Sequence, residues 1–231
     1  MVAIFVAFMF VSLVLIDLGV EKWKAWRAAH SALARRRAAA AMAVGLGELC
    51  QVPEGVHLAS QHTWIKPDPT GGLEIGADPL LARAVGAVQR IILPKVGDQV
   101  IAGQPLFRLE HNGCAVTIPA ALTGRVMSVN DHLIEHPELL SSDPYGTGWV
   151  CYLAPTGGEE PGARGMWFGE PAAMWLEKEV MRFADFIFGQ LPPDLALGAT
   201  NLDGGIPAMG CLGELGPAAW RAFEASFLRP T

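Results

Sequence analysis

Charge is scarce in this chain. Only 17% of its 231 residues are Asp, Glu, Lys or Arg, against 51% hydrophobic. Cysteine is sparse and unpaired in pattern: Cys50, Cys114, Cys151 and Cys211 form no C-x-x-C, which removes paired-ligand zinc modules and thioredoxin-like redox chemistry. No G-x-S-x-G elbow, Walker loop or dinucleotide fingerprint occurs, so no motif points to acyl, phosphoryl or hydride transfer. No basic side chain precedes the first apolar run, and a secretory signal would carry one there.

That apolar run is Val2–Val20, interrupted only by Ser12 and Asp17. As a helix it would be about 30 Å long, enough to cross a bilayer. The basic residues follow it. Lys22, Lys24, Arg27, Arg35, Arg36 and Arg37 stand against Glu21 alone. This flank predicts a retained single-pass anchor in the inner (cytoplasmic) membrane, N-terminus outside and body cytoplasmic. The overall charge of −6 then leaves the body at about −10, which excludes nucleic acid as a partner. A carboxylate deep in lipid is functional by default, but Asp17 lies near the cytoplasmic end, where headgroups and Lys22 or Lys24 solvate it.

Residues 21–47 read as a juxtamembrane basic helix, Ala- and Arg-rich up to Gly45 and Gly47. Trp23 and Trp26 fall one turn apart at the height of the membrane interface. Arg35, Arg36 and Arg37 suit anionic lipid or an acidic partner surface, or serve only as the topology signal on a solvated face.

From residue 48 to 154 the pattern changes to short strands joined by Gly/Pro turns, which indicates an all-β sandwich or barrel. Trp64–Lys66, Leu73–Gly76, Val88–Leu93, Val100–Ile101, Pro105–Leu109, Arg125–Val129 and Trp149–Leu153 read as strands. Pro79–Val85 suits a short helix ending at Gly86. Asn112-Gly113 sits between alternating runs and predicts a two-residue hairpin turn, whose central residues both need positive φ. Asn130 is a candidate cap for a helix over Asp131–His136.

Several of these landmarks carry a resemblance. His62-Thr63-Trp64, Ile75-Gly76, Gly86, Leu93-Pro94-Lys95-Val96-Gly97-Asp98, Pro137-Glu138-Leu139 and Ser142-Asp143-Pro144-Tyr145-Gly146 with Gly148-Trp149 fall in the order and spacing of the glycine-cleavage H protein. That family is one of lipoyl-carrier domains, and the resemblance spans roughly His62 to Leu153. It implies the lipoyl-type β-barrel-sandwich hybrid. An ungapped count from Glu110 to Gly124 puts Gly113 where the family has its lipoyl-bearing lysine. Lipoylation makes an amide to a lysine nitrogen, and Asn112 and Cys114 offer none either. Lys95 belongs to a preceding turn. The expectation is therefore a domain with no cofactor and no catalytic residue. A zinc site from His111, Cys114, His132 and His136 is the remaining chemistry, and their spacing matches no known ligand motif.

Residues 155–231 read as a linker and a helical C-terminal extension. In Pro171–Phe188, Leu176, Val180, Phe183 and Ile187 share one face, with Met174, Met181 and Phe188 in a second stripe. Either the helix packs on the β domain, or Trp175, Phe183, Phe186 and Phe188 form a partner-binding surface. A second helix, Pro217–Phe227, places Trp220, Phe223 and Phe227 on one side. Leu191–Gly216 between them is Gly/Pro-rich and irregular.

The sequence thus points to a non-enzymatic accessory or scaffold subunit of a membrane-embedded complex, of the electron-transfer or photosynthetic kind. Its expected partners are an integral membrane complex and membrane lipids, without a small-molecule substrate. The alternative is a membrane-tethered lipoate or aminomethyl carrier-like protein of glycine or lipoate metabolism.

Overall fold

A computed structural model describes residues 45–156, 165–190 and 206–229. The anchor Val2–Val20, Trp23, Trp26, Arg35, Arg36 and Arg37 lie outside these, as do most of the linker and the first part of the irregular stretch. No helix among the described residues is long and apolar enough to cross a membrane.

Ten strands form two antiparallel sheets. The larger has seven strands in the order β10-β1-β2-β3-β9-β8-β5, and the smaller has three, β4-β6-β7. In chain order these are β1 His57–Ala59, β2 Thr63–Pro67, β3 Leu73–Ala77, β4 Arg90–Ile92 and β5 Gln99–Val100. They continue with β6 Pro105–His111, β7 Cys114–Pro119, β8 Gly124–Val129, β9 Trp149–Pro155 and β10 Met166–Phe168. Leu73 and Ile75 on β3, Leu109 on β6, Val116 and Ile118 on β7 and Cys151 and Leu153 on β9 are buried in one core. Apolar positions two apart along a strand put every second side chain on the inner face, so each register has one acceptable setting.

The helix α1, Pro79–Val85, has the bounds the sequence predicts. Asp78 caps it, accepting from Leu81 N at 2.8 Å, proline stands in its first turn, and Gly86 ends it at φ 73°. Two four-residue helices follow, α2 His132–Glu135 and α3 Leu139–Ser142. Asn130 does not cap α2 with its side chain. Its Nδ2 donates instead to Thr147 O at 2.9 Å and Trp149 O at 2.8 Å, tying the α3–β9 turn back to the end of β8.

Landmarks far apart in sequence meet in the fold. Trp64 is fully buried, its indole lies over Gly76 with no room for a β-carbon, and its Nε1 donates to Pro144 O at 2.7 Å. The turn carrying Pro144 is shaped by Asp143, whose Oδ2 accepts from Thr147 N at 2.7 Å.

The C-terminal part is built into the same core. β10 pairs with β1, Leu58 facing Trp167, and so becomes the outermost strand of the larger sheet. Directly after it runs α4, Gly169–Gln190, two residues longer at each end than the sequence pattern predicts. Leu176, Val180 and Phe183 are buried, as their common face requires. A 3₁₀ turn Cys211–Glu214 leads to α5, Pro217–Phe223, and a π-type turn Glu224–Leu228. Trp220, Phe223 and Phe227 are all buried, and Phe183 meets the last two edge-on at 5.5 and 5.8 Å between ring centres.

Phe183 is therefore core, at 0% exposure, and not a docking residue of the closed chain. Trp175, Phe186 and Phe188 are half-buried. The large apolar side chains that α4 exposes are Met174 at 52% and Met181 at 42%. The physical reason is that α5 and its π-type turn cover the flank the helix pattern alone leaves open.

Candidate functional site

Two places combine special backbone with polar chemistry: the hairpin tip between β6 and β7, and a buried cluster beneath α4.

At the tip, His111 pairs with Cys114, and Asn112 and Gly113 take φ of 47° and 75°. Both central residues are left-handed, as a type I′ turn demands. Gly113 is exposed, and a β-carbon there would meet nothing within 4 Å. Gln89 clamps the turn from outside, Nε2 donating to Asn112 Oδ1 at 2.9 Å and Oε1 accepting from Asn112 N at 3.0 Å. His111 donates from Nδ1 to Ala87 O, while its Nε2 accepts from Asn112 Nδ2 at 3.0 Å. No lysine occurs between Pro105 and Pro119.

Those bonds commit both nitrogens of His111, so it has no lone pair for a metal. His132 and His136 are exposed on and just after α2, where His136 Nδ1 lies 3.1 Å from Glu138 Oε1. The four residues His111, Cys114, His132 and His136 do not converge. Among the described residues no cluster of three His, Cys, Asp or Glu side chains is placed to hold a metal.

The C-terminal segment reaches the hairpin twice. Gly213 packs against the His111 ring, and Glu224 Oε2 accepts from Thr117 N on β7 at 3.3 Å. Ahead of these contacts Gly210 N donates to Arg83 O at 2.7 Å, and Arg83 Nε donates to Pro207 O at 2.8 Å.

The buried cluster centres on His62, held at φ 57° with no solvent exposure. Its Nδ1 is 2.7 Å from Asp78 Oδ2, and its Nε2 is 3.5 Å from Glu179 Oε2 on α4. Arg182, one turn further along α4, donates from Nε to Glu179 Oε2 at 2.9 Å. It also donates from Nη1 to Ser226 O at 3.0 Å and lies over the Phe227 ring. Charges thus alternate, Asp78, His62, Glu179, Arg182, from the β body through α4 to the C-terminal turn. The Trp175 ring stacks on His62 at 5.3 Å, itself stacked on Trp167 at 4.4 Å.

Burial alone would lower the His62 pKa, but Asp78 and Glu179 outweigh it and raise it to about 9. Burial pushes Glu179 upward, and its bonds to His62 and Arg182 prevail and leave it below the usual glutamate value. The imidazolium is the charged form at neutral pH. With His62 and Asp78 both at 0% exposure, we read this cluster as structural chemistry. The sequence offered His62 only as a landmark. The capping position of Asp78, ahead of a proline, was the one local signal that a carboxylate sits beneath it.

A small antiparallel β domain that presents an exposed two-residue hairpin tip, flanked by helical cover, is the architecture of a carrier-type domain. Residues 56–163 match the family model described as glycine cleavage H-protein. The glycine cleavage system H protein of Carboxydothermus hydrogenoformans is 36% identical over 99 residues, 43% of this chain and 75% of that protein. That of Alteromonas mediterranea is 32% identical over 102 residues, 44% of this chain and 79% of that protein. A glycine cleavage system H protein of known structure from Mycobacterium marinum is 25% identical, with a TM-score of 0.47, covering 54% of this chain and 98% of that one. The chain belongs to the glycine cleavage H-protein family, a lipoyl-carrier family whose members work without catalysing a reaction themselves.

Proposed function

We propose that this chain is a member of the family that carries no lipoate on its hairpin and acts as an accessory or scaffold subunit of a membrane-embedded complex. The observation that carries the reading is Gly113 at the exposed tip, with no lysine anywhere on β6 or β7. An acyl amide needs a side-chain amine at the end of the turn, and the turn ends in a hydrogen atom. Contact of the C-terminal segment with His111 and Thr117 supports the same reading, because it covers a flank of the hairpin.

The complex is proposed from Val2–Val20, an apolar stretch ahead of six basic residues, which would hold the body within a short arm of the bilayer. The kind of complex proposed is an electron-transfer or photosynthetic assembly, a choice that rests on the architecture of an anchored domain alone. Native-membrane purification in mild detergent tests both parts at once. The expected result is an intact mass without a lipoyl or octanoyl adduct and stoichiometric co-purification with integral membrane subunits. An adduct on any lysine returns the chain to the carriers, and recovery as a free monomer removes the scaffold role.

A further inference from the structure

We propose that His62 is a proton-controlled latch that fastens helix α4 and the C-terminal cover to the β body, and that losing its Nε2 proton releases them locally while the sheets stay folded.

The geometry divides the two imidazole nitrogens between two parts of the molecule. Nδ1 faces Asp78, which belongs to the β body at the start of α1, across 2.7 Å. Nε2 faces Glu179, which belongs to α4, across 3.5 Å. The shorter contact keeps its proton, since a hydrogen bond to a buried carboxylate is strongest at that distance. Deprotonation therefore takes the proton from Nε2. The bond inside the body survives, and the charge contact between body and helix is replaced by a lone pair facing a carboxylate oxygen. Two acceptors held face to face repel, the more so with His62 fully buried and Glu179 mostly buried.

The surroundings bias the outcome towards release of the helix. Arg182 holds the same Glu179 oxygen that faces His62 and is itself anchored to Ser226 and Phe227, so Glu179 leaves together with α4 and the C-terminal turn. The remaining groups facing His62 are the rings of Trp175 and Phe227, which carry no charge. Behind Asp78 lie Cys50 and Tyr145, whose protons burial holds in place, Cys50 up at about 11.

The sign follows from linkage. A histidine at about 9 when latched, and lower once Glu179 has left although Asp78 still raises it, stabilises the latched state below its released value, and that stabilisation disappears as the pH rises to 9. The opening constant of α4 should rise with pH across this window, by less than the roughly 300-fold that loss of both carboxylates would give, and level off above it.

The experiment uses the full chain in mild detergent. Amide exchange along α4, corrected for its intrinsic pH dependence, is followed from pH 6 to 10 alongside the ¹⁵N resonance of His62 Nε2. The expected result is opening of α4 that rises through the window in step with the Nε2 titration, while amides of β3 and β9 keep their protection. In Glu179→Gln the side-chain amide donates to neutral Nε2, so the slope should vanish. Three results overturn the latch: a flat α4 profile, exchange of β3 and β9 with the same slope as α4, or an unchanged slope in Glu179→Gln. Should that variant not fold, Nε2 titrating at or below 6.5 in the wild-type chain overturns it equally.

Discussion

Asp78 performs two tasks with its two oxygens: Oδ2 holds His62 Nδ1 at 2.7 Å, and Oδ1 accepts the Leu81 amide at 2.8 Å to start α1. Neither Asp78 nor His62 is reached by solvent. Asp78→Ala removes the cap and leaves an imidazolium with one counter-charge fewer inside the protein. The expected loss is about 3–5 kcal/mol. Asp78→Asn keeps a capping oxygen and a hydrogen-bond acceptor and should lose clearly less. Urea midpoints of the two variants at neutral pH, with an unchanged denaturant slope, check the order.

On the acid side the group that matters is Glu179, whose carboxyl is held below its ordinary value of 4.5 despite burial that opposes this. A depressed folded pKa stabilises the protein above the unfolded value, and that contribution is lost as the pH falls through the folded one. Stability should therefore decline below pH 4.5. Glu179→Gln should flatten that limb, which thermal unfolding from pH 3 to 6 would show.

Gly86 and Gly210 touch through their backbones, and a β-carbon on Gly86 would fall 2.4 Å from the Gly210 α-carbon. Gly86 also takes φ 73°. Gly86→Ala therefore meets both backbone strain and a clash that no rotamer relieves. A loss on the order of 3 kcal/mol is expected. The falling melting temperature should be accompanied by proteolysis near residue 210, because this contact seats the C-terminal segment on α1.

Gly113→Lys has open space, so its only penalty is the left-handed backbone at φ 75°. That costs on the order of 1 kcal/mol, and the domain should stay folded. Incubated with a lipoyl ligase, ATP and octanoate, the variant should gain one octanoyl mass while the wild-type chain gains none. A folded variant that remains unmodified would show that more than the missing amine separates this hairpin from a carrier's.

Phe183 and Met181 lie two residues apart on α4 with opposite fates, 0% against 42% exposed. Phe183→Ala opens a hole between Phe223 and Phe227 and should cost about 3–5 kcal/mol. Met181→Ala should leave stability within about 0.5 kcal/mol, since surface truncations rarely do more. Equal losses at the two positions would mean that α4 does not lie on the core as described.

Local signals were legible where the chemistry is local. Asn112-Gly113 specified its own turn because positive φ is cheap only for such residues, and Asp78-Pro79 with Gly86 bracketed α1 at both ends. The pattern Leu176, Val180, Phe183 showed which face of α4 is buried. It did not show what buries it, since the covering rings of Phe223 and Phe227 come from beyond an irregular stretch. Asn130 misled for a related reason. Its side chain suits a helix cap, but two carbonyls of the β9 approach, Thr147 and Trp149, compete for it and win.

The sequence by itself determined the β character of the body, the hairpin and its glycine tip, because turns, caps and strand alternation are decided by neighbours a few residues apart. It also carried the family, through landmarks whose spacing survives without any knowledge of contacts. Only the tertiary structure decided that β10 extends the sheet of the body, that the C-terminal segment lies against the hairpin, and that His62 is enclosed between Asp78 and Glu179. These depend on side chains from distant segments excluding water from one another. The buried imidazole is charged because carboxylates from two distant segments face it, and no local pattern records the second of them.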